Sequence, residues 1–183
     1  LGNLGLAYAD SGDARHAITL HRQRLELARR VGDVKGESNG IANWGRALAD
    51  LDEGEDAVTM CREALKFRKG IGYRVGEAQG YLGYAYFAAK KNRSALYWCG
   101  KALEEPQTAL APRAMCRAHI DMSLVLLEVK RPTEAAVHAE EAVVLATRHG
   151  YRLLLADALW ALAQAQEGTP GVSSMQCADQ ALA

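Results

Sequence analysis

The sequence has no excess of either charge, since 22 lysines and arginines balance 22 aspartates and glutamates over 183 residues. A neutral chain sets up no overall field toward nucleic acid or an anionic membrane surface, so neither is expected as a partner. Its four cysteines, Cys61, Cys99, Cys116 and Cys177, form no CxxC pair and lack the dense spacing of a secreted disulfide scaffold, which points to a reducing cytoplasm. No apolar run is long enough to span a bilayer, and the front carries no basic, apolar, small-residue signal. Val, Ile and Thr are modest and aromatics make up only 7%. Residues that build sheets are therefore scarce, and local propensity favours helix.

Site chemistry is equally sparse. No GKS or GKT occurs, and Gly70-x-Gly72-x-x-x-Gly76, which could suggest a phosphate loop, follows no strand and repeats the linker glycines Gly32 and Gly36. The histidines His16, His21, His119, His138 and His149 are scattered without HExxH or paired Cys/His spacing, so no metal site is expected. Nothing assembles a nucleophile, a base and an orienting group, and the chain reads as a non-enzyme without a cofactor. Cys61 and Cys99 occupy one recurring position, held by His21 and Ala139 in other units, which suits a small core slot better than reactive thiols.

What the sequence does contain is a repeat. A shift of about 40 residues lays Leu4-Gly5-Leu6-Ala7-Tyr8-Ala9-Asp10 on Trp44-Gly45-Arg46-Ala47-Leu48-Ala49-Asp50. Ala17, Ala57, Ala95 and Ala135 align in the second halves, and Gly5, Gly45, Gly83 and Ser123 in the first, with Ala163 opening a fifth unit. Apolar positions keep helical spacing on both sides of a Gly-Asp or Glu-Gly-Glu break, so each unit is a helical hairpin. First helices are predicted near 1–11, 37–51, 76–89, 112–129 and 153–167, and second helices near 14–30, 54–69, 92–104, 132–148 and 172–183. Gly32, Gly72 and Gly150 follow the second helices as left-handed stops, and Pro132 suits a first turn. Small residues should let the two helices approach closely, pairing Gly5 with Ala17 and Gly45 with Ala57. One hairpin cannot bury its stripe alone, so the units, roughly 1–36, 37–75, 76–111, 112–151 and an incomplete 152–183, should stack as a single array. The chain is expected to be a piece of a larger protein and to self-associate weakly through exposed ends near Ala178, Ala181 and Leu182.

The series Trp/Leu-Gly-x-x-Tyr/Leu, then Ala, then Ala-Leu resembles the tetratricopeptide repeat over nearly the whole chain. The long period and the Gly2-to-Tyr8 opening are similar to the variant in spindle-orientation adaptors, kinesin light chains and bacterial signalling ATPases with C-terminal repeat arms. The third unit departs: it is two residues shorter before Gly83, and Glu105-Pro106-Gln107 to Pro112-Arg113 follows it in place of a Gly-x-x-x-Gly-Glu linker. The resemblance implies an all-α, right-handed solenoid of antiparallel hairpins whose concave wall is lined by first helices. It also implies that Asn3 and Asn43, each just before the Leu/Trp-Gly pair, help hold an extended peptide, whereas Tyr81 and Asp121 stand at the matching later positions.

Helical spacing adds Arg46, Asp50, Tyr84 and Arg117 to the same face, with Leu124, Glu128 and Trp160 beside them. A peptide ligand is expected across the first helices of units two to four. Trp44 is expected in the core, and the Tyr81, Tyr84, Tyr86 and Phe87 helix has aromatics on too many sides to bury them all. The function expected is a scaffold binding a partner segment in its groove. The competing expectation is a regulatory arm acting on flanking signalling domains of its own chain.

Overall fold

The computed structural model describes residues 2–105 and 111–167. They are helical without strand, in the order α1 (Gly2–Asp10), α2 (Ala14–Val31), α3 (Val34–Asp50), α4 (Gly54–Ile71), α5 (Val75–Ala88), α6 (Asn92–Glu104), α7 (Pro112–Glu128), α8 (Pro132–His149) and α9 (Arg152–Glu167). The expected helix at 172–183, Cys177 and the end positions Ala178, Ala181 and Leu182 lie outside the described residues. The chain forms two compact units, Leu1–Gln107 and Thr108–Ala183, divided where the repeat pattern departs around Glu105 to Pro112.

In the first unit α1/α2, α3/α4 and α5/α6 are hairpins, each packed on the next, and α5 lies against α3 as a second layer of first helices. In the second unit α7/α8 form a hairpin and α9 packs on both. The helices stop where the backbone can turn left-handed. Gly32, Gly72 and Gly150 have φ of 71°, 62° and 69°, and the amide of each reaches back to carbonyls of the last turn. The turn inside each hairpin uses the same conformation at Gly12, Asp52, Lys90 and Lys130, with φ of 84°, 60°, 58° and 61°. Only the first of these four is the residue that adopts it without a Cβ penalty.

Helix starts differ from the expectation in one instructive place. Asp33 accepts from the Gly36 amide at 2.8 Å, so α3 begins at Val34 and Gly36 is its buried first turn, not part of a linker. Gly76 likewise lies inside α5, and Gly70 inside α4, so the glycine series there is a helix end and a helix start.

The core is built on small residues. Ala17, Ala57, Ala95 and Ala135 are each wholly buried, one per second helix. The close pairing, however, is one turn away from its expected place. A Cβ on Gly45 would stand 2.7 Å from Cys61 Sγ, one on Gly83 2.5 Å from Cys99 Sγ, and one on Gly5 2.6 Å from the His21 ring. Gly45 therefore packs on Cys61, not Ala57, and Gly5 on His21, not Ala17. The first helix contributes its smallest residue where the second carries a thiol or an imidazole; where the first helix has Ser123, the second has Ala139. Burial pushes the Cys61 thiol up to about 12, so it is an apolar filler and not a nucleophile.

Candidate partner-binding face

Positions 39, 43, 46 and 50 of α3 recur every third or fourth residue and fall on one side of the helix, as do 77, 81, 84 and 88 of α5. Because α3 and α5 lie side by side, the two rows meet. At their centre the Arg46 guanidinium lies 3.5 Å from the centroid of the Tyr84 ring and 5.8 Å from that of Tyr81. Its Nε is 3.8 Å from the Asp50 carboxylate one turn on. Tyr84 in turn leans on Phe87, centroids 5.9 Å apart. A planar cation on an aromatic face is electrostatically favoured, which ties the two rows together at this point.

Below it lies a second network that sequence reasoning missed. Arg68 of α4 is fully buried. Its Nε donates to Ser38 Oγ at 3.0 Å, one terminal nitrogen donates to Asn39 Oδ1 at 2.9 Å, and the other donates to Glu77 Oε2 at 2.7 Å and the Arg74 carbonyl at 3.2 Å. Arg74, whose carbonyl takes the last bond, turns left-handed at φ 46° just before α5. Arg74 also donates to Glu77 at 2.7 Å. Burial alone would raise the Tyr73 hydroxyl, but bonds with Asn39 and Arg74 and the nearby guanidinium charges bring it below its ordinary value. The signal was there: Arg68 occupies the repeat position filled by Ala28 and Ala146, both buried alanines. A large cation in a small-residue slot needs partners, and its partners come from the two flanking first helices, α3 and α5, and the Arg74 carbonyl just before α5.

The remaining expected residues are placed as follows. Asn3 is exposed on α1, and Asn43 is half-buried on the α3 row beside Arg46. Tyr81 divides its surface between Arg46 and a core cluster of Leu25, Ile41, Ala42 and Ala64. Trp44, expected in the core, is half-buried at the edge of that same cluster, with the Arg22 guanidinium 5.2 Å from its ring centroid. In the second unit Arg117 of α7 reaches Asp157 of α9 at 3.3 Å. One expectation there needs correction: Asp121 is fully buried, so it has no surface to offer a ligand. Leu124 is half-buried and packs against the cluster of Cys116, Ile120, Ala142 and Leu154. Trp160 is 58% exposed.

No family model and no curated protein matches the sequence. Solved structures do. Nearly identical TPR-like repeats of a Podosopora anserina protein named as a kinesin light chain align with a TM-score of 0.63 at 13% identity, covering 98% of this chain and 90% of that one. A single-substitution variant of those repeats aligns at 0.65 over the same shares and at the same identity. The chain has the TPR-like repeat fold. At this identity the likeness is one of backbone architecture: TPR-like hairpins in series, reached with a different set of side chains. Among the described residues no TPR-like helix is long and apolar enough to cross a membrane, and no three His, Cys, Asp or Glu gather into a metal cluster.

Proposed function

We propose that the face formed by the first helices of the compact unit Leu1–Gln107 binds a segment of a protein partner, with Asn43, Arg46, Asp50, Tyr81 and Tyr84 as its contact set and Asn3 at its edge. The observation that carries this reading is the stacked Arg46–Tyr84 pair at 3.5 Å on two adjacent first helices. Aromatic and arginine side chains dominate the energetics of protein interfaces, and a pair already stacked loses little freedom on binding. Asn43 adds an amide able both to donate to and accept from a peptide backbone. The TPR-like fold supports a role in protein interaction and gives no support to catalysis. The Arg68 network underneath holds α3, α4 and α5 in one register, so the contact set sits on a rigid base.

The reading is tested with peptides selected on the intact chain from a random library. Binding to Asn43→Ala/Tyr84→Ala should weaken, each truncation costing about 1–2 kcal/mol, while circular dichroism stays unchanged. Affinity undiminished in the double variant, or a footprint confined to α2, α4 and α6, would move the binding surface elsewhere.

A further inference from the structure

Sequence spacing kept the histidines apart, but the fold joins two of them. His119 of α7 and His138 of α8 meet across the second unit's hairpin, Nδ1 to Nδ1 at 3.0 Å, with ring centroids 5.2 Å apart. Both are half-buried. In the neutral pair only one of the facing nitrogens carries a proton, so a lone pair always points into the gap.

We infer that this pair is a two-imidazole site for a divalent transition-metal ion of the Ni2+ or Cu2+ class. Imidazole nitrogens bind such ions at about 2.0–2.1 Å, so two donors at a right angle on one ion lie about 2.9 Å apart, and two at the tetrahedral angle about 3.3 Å. The 3.0 Å of the hydrogen-bonded pair is within about 0.3 Å of either spacing, and imidazole affinity along the divalent series favours Ni2+ and Cu2+. For both lone pairs to serve one ion, the bridging proton moves to the same ring's Nε2 and each ring turns by about 35–45°, so that its lone pair leaves the Nδ1–Nδ1 line. Both imidazoles stay neutral and no proton is lost.

The surrounding charge also suits a cation. Glu141 acts on both rings and Glu134 on His138, each in the sense that favours positive charge. Since no third ligand completes a cluster among the described residues, water fills the other positions and the site is an open one.

The test is calorimetric titration of NiCl2 into the intact chain at neutral pH. One site is expected, weakened at least about tenfold in His119→Gln and in His138→Gln, and unchanged in His16→Gln and His149→Gln, whose histidines are exposed. Should either Gln variant lose helicity, paramagnetic broadening in the wild-type NMR spectrum decides, and it should centre on residues around His119 and His138. No binding, equal binding in the pair variants, or broadening centred elsewhere would overturn the assignment.

Discussion

Gly45→Ala isolates the contact on which the second hairpin closes. The added Cβ would stand 2.7 Å from Cys61 Sγ and 3.1 Å from both the Cys61 amide nitrogen and Met60 Cβ, against partners that are wholly or largely buried. Overpacking of this kind costs about 1–3 kcal/mol, whereas the helix itself gains about 0.8–1.0 kcal/mol when Gly becomes Ala. The net expectation is a loss of up to about 2 kcal/mol, or a fall of about 2–4 °C in melting temperature per kcal/mol for a chain of this size. Gly70 supplies the control: it lies in α4 with nothing within 4 Å of an added Cβ, so Gly70→Ala should stabilise by roughly the propensity gain alone. Adding Cys61→Ala removes the nearest atom and should recover part of the Gly45→Ala loss, a coupling of about 0.5–3 kcal/mol for side chains in contact. The assay is urea unfolding of the four combinations. If Gly45→Ala stabilised as much as Gly70→Ala, or showed no coupling to Cys61→Ala, the hairpin would close on other residues and the register given above would be wrong.

Three further outcomes follow from particular residues. Lys90→Gly and Lys130→Gly place glycine where the backbone is already left-handed, and each should stabilise by up to about 1 kcal/mol in urea melts. Arg68→Ala leaves Glu77, Asn39 and Ser38 without their buried donor and should cost about 3–5 kcal/mol, a larger loss than for the exposed Arg30→Ala in the same assay. For pH, burial and the Arg24 charge lower His21 to about 4, and burial lowers His119 to about 4, both below the ordinary 6.5. The unfolded chain therefore binds more protons below pH 6.5. Stability is full above that value and is lost as pH falls toward 4, by up to about 3 kcal/mol per group. His21→Gln should flatten the acid limb of a stability-against-pH curve, and an unchanged limb would show that His21 is solvated.

Period and propensity determined what is local. Alanines at one slot per second helix, glycines past the helix ends and a shift of about 40 residues were enough to specify hairpins in series and most helix limits, because each depends on neighbours within a turn or two of chain. The same reasoning placed Arg46 with Tyr81 and Tyr84, since equivalent positions of stacked repeats must lie on one face. It failed where the answer depends on how one helix slides and rotates against another. The repeat aligns Gly45 with Ala57, yet side-chain interdigitation brings Gly45 onto Cys61, one turn further along α4. Asp33 capping α3 could not be separated from a linker by pattern alone. The Arg68 network and the His119–His138 contact join residues between 6 and 30 apart, on helices whose relative stagger no periodicity records. Sequence spacing says which residues share a helix face, and only packing of the faces decides which of them meet.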